Sequence, residues 1–153
     1  MAAAALDRAL ALNPNAAMAW AVKGNMKALR NRPAAAIEAV ERARRLSPFD
    51  PYGFFYAATI ALAHFAARRF EQAIEWADRA LHDQPRHVPA MRVKVAALAH
   101  LGHLDAAHAE LSRLLAIDRE LTIAGFREYL HYAAPEVLEL LVTGLRLAGL
   151  PEG

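Results

Sequence analysis

Apolar residues recur every three or four positions along most of the chain, which is the spacing of an amphipathic α-helix. The pattern predicts one helix at residues 2–12, followed by three helix pairs. The predicted pairs are residues 15–30 with 33–46, 51–68 with 70–83, and 87–101 with 104–117. Prolines and Gly102 separate these segments, because proline cannot continue a helix and glycine favours helix ends. We expect antiparallel neighbours joined by short turns.

The pattern changes after residue 118, so we divide the chain into residues 1–118 and a C-terminal capping extension at 119–153. Pro135 starts a last predicted helix, with proline in its first turn. Gly149 and Pro151 end it. Its apolar stripe comprises Val137, Leu138, Leu141 and Leu145. Residues 119–133 show no clear period and are compatible with a short helix ending near Tyr129.

Composition supports an all-α fold of about eight to nine helices. Hydrophobic residues make up 56% of the chain and aromatic residues only 8%, so alanine and leucine supply most of the apolar content. These two are the strongest apolar helix formers.

Three segments, at residues 7–14, 41–48 and 78–85, share an acidic residue, arginine, alanine and a closing proline. The closing prolines, Pro14, Pro48 and Pro85, are 34 and 37 residues apart. A fixed period of this length is typical of a helical solenoid. Large and small residues recur in the same register: Trp20, Gly24, Ala36 and Ala43 in the first unit, Phe54, Ala58, Ala73 and Ala80 in the second, and Met91, Val95, Ala107 and Leu114 in the third.

This register resembles the tetratricopeptide repeat. The resemblance implies an α-α superhelix with a half repeat at residues 2–14 and repeats at 15–48, 49–85 and 86–118. Lys23 and Lys27 depart from it, because the family usually has leucine and an aromatic residue there. The second unit has three extra residues, which we expect in a first helix lengthened to near Arg69. Arg119 replaces the terminal proline of the third unit.

Residues 46–152 carry a further resemblance, through Leu46-Ser47-Pro48-Phe49-Asp50-Pro51, the aromatic-rich residues 54–65, residues 69–77 and the closing Gly149-Leu150-Pro151-Glu152. They are similar to the C-terminal repeat region of bacterial class III adenylate/guanylate cyclases and of winged-helix regulators. This likeness implies a cytoplasmic regulatory module at the end of a signalling protein. It carries over no cyclase site.

In tetratricopeptide folds the first helices line a concave groove, which implies a binding site for a protein or peptide segment. By register the groove residues here include Asn25, Tyr52, Phe55, Thr59, Arg92 and Ala96. Only Asn25 and Arg92 resemble the family's clamp for acidic peptide ends, so we expect an apolar groove suited to a helix or a hydrophobic peptide. The alternative is that Tyr52, Phe55 and Tyr56 pack the fold.

The first helix matches the second half of a repeat, and it presents Leu6 and Leu10 without a partner earlier in the sequence. Two interpretations stay open. In one, the chain is the end of a longer protein. In the other, Leu6 and Leu10 form a self-association face and the chain is a homodimer or a stand-alone scaffold.

Other functions find little support. Acidic and basic residues are interspersed and the net charge is +2, which argues against nucleic-acid binding. No apolar stretch approaches the roughly 20 residues of a membrane span. We expect no metal, because Gly102 separates His100 from His103, and we interpret the histidines as solvated turn residues. There is no nucleophile elbow or phosphate loop, so we expect neither an enzyme nor a cofactor.

Overall fold

The computed structural model describes residues 2–12 and 16–153, and within these residues it contains nine α-helices and no strand. The all-α prediction is confirmed. The helices are α1 (Ala2–Leu12), α2 (Ala17–Leu29), α3 (Pro33–Leu46), α4 (Gly53–Ala66), α5 (Phe70–Asp83), α6 (Val88–His100), α7 (Leu104–Ile117), α8 (Ile123–Tyr129) and α9 (Pro135–Ala148). None of the described helices has both the length and the apolar character needed to cross a membrane.

Three helix pairs, α2/α3, α4/α5 and α6/α7, form the stack that the spacing of the prolines and Gly102 predicted. Each pair turns through the same three-residue connection, whose middle residue has a positive φ: 62° at Asn31, 62° at Arg68 and 82° at Gly102. The N–H of the following residue donates back across the turn, for example from Arg69 to the carbonyl of His64 at 2.8 Å. This closure satisfies carbonyls that the end of a helix leaves free.

Small residues let the paired helices approach closely. A Cβ on Gly24 would lie 2.7 Å from Cγ2 of Val40 and 2.9 Å from the carbonyl oxygen of Ala36, so α2 and α3 touch where the sequence has no side chain. Ala21 and Ala43 are fully buried beside this crossing. Larger side chains, including Phe65 and Leu111, fill the spaces between successive pairs.

The extra residues of the second unit lie mainly before α4, so the prediction of a first helix lengthened to Arg69 was wrong. Helix α4 has 14 residues against 13 in α2, but residues 47–52 form a longer connection than residues 84–87. Asp50 holds this connection together. Its carboxylate accepts hydrogen bonds from the hydroxyls of Ser47 and Tyr56, both at 2.9 Å, and from the backbone N–H of Tyr52 at 2.8 Å.

Helix α9 packs mainly against α6, the first helix of the third pair. Near its start, the N–H of Ala134 donates to the carbonyl of Leu29 at the end of α2, at 2.8 Å. In its middle, a Cβ on Gly144 would lie 2.6 Å from both Cα and Cβ of Ala96 on α6. Its last carbonyl, of Ala148, is 3.3 Å from Nδ1 of His108 on α7. The helix therefore extends from the end of α2, along α6, to α7.

Helix α8 and the chain end hold this extension together. The hydroxyl of Thr122 accepts from the N–H of Gly125 at 3.0 Å and so caps α8. The next two N–H groups, of Ile123 and Ala124, donate to the carbonyls of Pro151 and Glu152, both at 2.9 Å. The final residues are thus tied to the start of α8.

Candidate functional site

A cavity of about 230 Å³ remains between the first helices of the pairs and the extension that crosses them. Helices α2, α4 and α6 form its floor, and α8, the residues after it and α9 form its roof. The lining side chains are mainly apolar or aromatic: Asn25, Leu29, Phe55, Ala58, Leu62, His87, Pro89, Arg92, Val93, Phe126, Tyr129, Leu130, Tyr132 and Leu141.

Three of the six predicted groove residues, Asn25, Phe55 and Arg92, line this cavity together. The other three do not. Thr59 is fully buried, and its hydroxyl is 3.3 Å from the amide nitrogen of Asn25, which it helps to orient. Ala96 is fully buried under Gly144 of α9, so in this structure it offers no surface to a ligand. Tyr52 is 56% exposed but lies outside the cavity lining.

Arg92 is the main polar group of the cavity. Its guanidinium carbon lies 5.4 Å from the ring centroid of Phe126 and 5.2 Å from that of Tyr129. Cation–π attraction at these distances holds the side chain in place. One terminal nitrogen is 4.0 Å from Asp118, while Nε is buried and has no hydrogen-bond partner among the described residues.

His87 provides a second unsatisfied polar atom on the same wall. Its ring meets Phe54 edge-on at 5.1 Å, and its Nε2 is buried without a hydrogen-bond partner in the described part of the chain. Burial lowers the pKa of His87, and the positive charge of Arg92 lowers it further. The imidazole is therefore neutral at pH 7, and Nε2 can donate or accept according to its tautomer.

The sequence did not single out Phe126, Tyr129 or Tyr132, which form much of the roof. They belong to residues 119–133, where the apolar pattern has no clear period. The available signal was aromatic content, since Phe126, Tyr129 and Tyr132 recur every three residues. That spacing places Phe126 and Tyr129 on one face of α8, and Tyr132 follows in the turn after the helix.

A second cavity, of about 520 Å³, lies between α1, α2 and the start of α9. Leu6, predicted to contribute to a self-association face, is half-buried on its wall. Leu10, the other such residue, is only 7% exposed. Of the two residues predicted for the self-association face, Leu10 is therefore covered within the chain itself and Leu6 is partly covered.

The histidines are not all solvated turn residues, and that interpretation was wrong for His100. Its ring stacks on Phe70 with centroids 4.8 Å apart, and its Nε2 lies 2.7 Å from the carbonyl oxygen of Leu140. His103 is exposed beyond the turn. Across residues 2–12 and 16–153, no three histidine or acidic side chains converge as metal ligands would.

Comparison with known families gives a match to the tetratricopeptide repeat at residues 2–51 and 59–121, well over half of the chain. The chain belongs to the tetratricopeptide repeat family. Comparison with curated proteins gives no match. Tetratricopeptide repeats generally bind protein partners and are not catalytic, and the α-α superhelix agrees with that membership.

The floor of the cavity lies mostly within the matched residues, and the roof lies outside them. The roof, formed by α8, α9 and the residues between them, lies beyond residue 121 and so outside the matched repeats. Residues 52–58, which include Phe55, also fall in a gap of the match. The cavity is therefore lined by residues outside the matched repeats as well as by residues within them.

Proposed function

We propose that this tetratricopeptide protein is a binding module that takes a side chain or turn of a partner segment into the cavity between its repeats and its C-terminal extension. The groove residues in this proposal are Asn25, Phe55 and Arg92. Tyr52 lies outside the cavity, Thr59 accepts a hydrogen bond from Asn25, and Ala96 is buried against Gly144 of α9.

The observation that carries the proposal is that two polar residues, Arg92 and His87, lie on the wall of an apolar cavity, and each has a buried nitrogen without a hydrogen-bond partner among the described residues. Leaving a buried polar group without a hydrogen bond costs about 1–3 kcal/mol. A partner backbone carbonyl or carboxylate would accept from the guanidinium of Arg92, whose side chain is 16% exposed, and a small shift of that side chain would bring Nε–H within reach. Binding sites commonly combine such a few polar groups with an apolar lining.

The size of the cavity supports a peptide anchor. Its 230 Å³ is below the roughly 300–1,000 Å³ of pockets that enclose whole small molecules. We expect one or two side chains of a helix or hydrophobic peptide to enter, while the exposed edges of Tyr129 and Tyr132 contact the rest of the segment. Tyrosine is among the residues enriched at binding hot spots.

A peptide-display selection against the whole chain tests the proposal. Selected peptides would be measured by fluorescence anisotropy against wild type, Phe55→Ala and Arg92→Gln. Each variant is expected to weaken binding at least tenfold, since buried anchors contribute more than about 1.4 kcal/mol. Arg86→Gln, at an exposed arginine outside the cavity lining, is the matched control and should bind as wild type does. Equal binding by all the variants would refute the site.

Self-association through Leu6 and Leu10 is the alternative function. Because Leu10 is only 7% exposed, self-association has less support than peptide binding in the cavity. Light scattering at rising protein concentration distinguishes the two. A dimer that Leu6→Glu abolishes would favour self-association, and a constant monomer mass would refute it. A stand-alone scaffold predicts a monomer with a bound partner.

We further propose that the module regulates a bacterial signalling protein, such as an adenylate cyclase, in the cytoplasm. The similarity of residues 46–152 to the ends of such proteins supports this context. The coding sequence before Met1 tests it. A cyclase or winged-helix domain in the same reading frame would support the proposal, and a stop codon immediately upstream would refute it.

A further inference from the structure

The second cavity, between α1, α2 and the start of α9, has a marked excess of positive charge. Its wall includes Lys23, Lys27, Arg30 and Arg32, against a single carboxylate, that of Asp7. The chain as a whole carries a net charge of only +2, so this concentration is local. Lys23 Nζ lies 3.4 Å from Asp7 Oδ1, whereas Lys27, Arg30 and Arg32 form no ion pair within the described residues.

The third helix pair shows how the same fold neutralises a lysine at this place. Lys94 occupies in α6 the register position that Lys23 occupies in α2. Its ammonium group lies 2.7 Å from Asp78 on α5 and 3.3 Å from Glu110 on α7. Two carboxylates therefore surround Lys94.

The first pair has only half of that arrangement. Asp7 of α1 corresponds to Asp78 of α5, and its pair with Lys23 repeats the pair of Asp78 with Lys94. The register position of Glu110 is taken by Ala39, so the second carboxylate is missing. Lys27 adds a further cation where the second and third pairs have Ala61 and Leu98. Within the described residues, the first pair thus has more cations at this place than carboxylates to pair with them.

We propose that this cavity binds an acidic segment of a partner protein, whose carboxylates pair with Lys27, Arg30 and Arg32. The shape and lining of the cavity favour a segment. At about 520 Å³ it can hold several side chains, and apolar groups from Leu6, Met26 and Tyr132 share its wall with the cations. Carboxylates on a peptide match the cations, and interspersed leucines match the apolar wall. This site shares Tyr132 with the cavity around Arg92 but none of that cavity's charged residues.

A fluorescein-labelled peptide of repeated Glu-Glu-Leu units is the ligand for the test, with a Gln-Gln-Leu peptide of the same length for comparison. We expect anisotropy to show binding of the first peptide only, and to show it weakening as salt rises from about 50 to 200 mM, because exposed charges are screened. The double variant Lys27→Gln/Arg30→Gln should weaken binding roughly tenfold.

Arg45→Gln/Arg86→Gln is the matched control, because it removes the same charge from exposed arginines outside the cavity. It should stay within about twofold of wild type. Equal weakening by both double variants would overturn the site, since net charge would then explain the binding. Two competitors, inorganic pyrophosphate and the unlabelled peptide, would then be titrated against the bound labelled peptide. If pyrophosphate displaces it at a lower concentration than the unlabelled peptide does, the assignment to a protein segment is overturned. Peptides selected for the Arg92 groove should bind Lys27→Gln/Arg30→Gln normally, so the two proposals fail independently.

Discussion

Gly144 lies where α9 crosses α6, and its replacement by alanine tests whether that crossing requires a residue without a side chain. A Cβ at this position would meet three atoms of Ala96: Cα and Cβ at 2.6 Å and the carbonyl oxygen at 2.7 Å. Two of these belong to the backbone and cannot rotate away. One of the helices must therefore shift to admit the methyl group.

The expected size of the effect follows from two opposed contributions. Alanine is a better helix former than glycine by about 1 kcal/mol, which favours the variant. Overpacking a tight contact costs about 1–3 kcal/mol, and the backbone atoms of Ala96 place Gly144→Ala towards the upper end. We expect a net loss of about 1–2 kcal/mol in the free energy of unfolding. For a chain of this size that corresponds to a fall of about 2–8 °C in Tm.

Urea unfolding followed by circular dichroism measures this change. Gly53→Ala is the control, because Gly53 starts α4 and a Cβ there would meet no atom within 4 Å. It should stay within about 0.5 kcal/mol of wild type. Adding Ala96→Gly to Gly144→Ala removes one of the three clashing atoms and should recover part of the loss, which a double-mutant cycle would report as coupling. A Gly144→Ala chain as stable as wild type would refute the close crossing.

Three further changes test the packing and the charges. Lys94→Met leaves the carboxylate of Glu110, which is 6% exposed, with Arg113 at 3.7 Å as its remaining ion-pair partner among the described residues. We expect urea unfolding to show a loss of about 2 kcal/mol in the free energy of unfolding, and adding Glu110→Gln should restore part of it. Phe65→Ala removes a fully buried ring and should cost about 3–5 kcal/mol, whereas Phe49→Ala, at a ring 96% exposed, should cost less than about 0.5. Hydrogen bonds from Tyr52, Tyr56 and Ser47 lower the pKa of Asp50 below its ordinary 3.8. Its stabilisation is therefore present above pH 3.8 and is lost as pH falls through the lowered pKa. The stability difference between wild type and Asp50→Asn should be constant above about pH 5 and shrink below 3.8, and a constant difference in acid would contradict this assignment.

The helix pairs could be predicted from the sequence because their determinants are local. Proline after α3 and α5 and a short turn between the partners of each pair mark the boundaries, and the small residues Gly24 and Ala36 mark where α2 and α3 touch. These signals depend on residues a few positions apart or on a repeating register. The start of α4 was less predictable, since it depends on the hydrogen bonds by which Asp50 holds the longer connection of residues 47–52 together.

The candidate site depended on contacts that no local pattern encodes. Register placed Asn25, Phe55 and Arg92 on the first helices, and the structure brings them together. Register could not show that α9 would return over α6 and bury Ala96. That return depends on pairings far apart in sequence, such as Gly144 with Ala96 and Ala134 with Leu29. The apolar stripe on α9 predicted that the helix would pack, but not its partner.

The burial of α9 also indicates how a partner segment can reach the groove. Val137, Leu140, Leu141 and Leu145 are each at most 7% exposed. Full burial of such side chains contributes about 1.5–3 kcal/mol each, and so about 6–12 kcal/mol together. That is comparable to the roughly 5–15 kcal/mol that stabilises a whole domain. A segment that displaced α9 would have to replace nearly all of this stabilisation before gaining any affinity. Binding in the remaining cavity beside α9, against Arg92 and His87, requires no such exchange and is the physically favoured route.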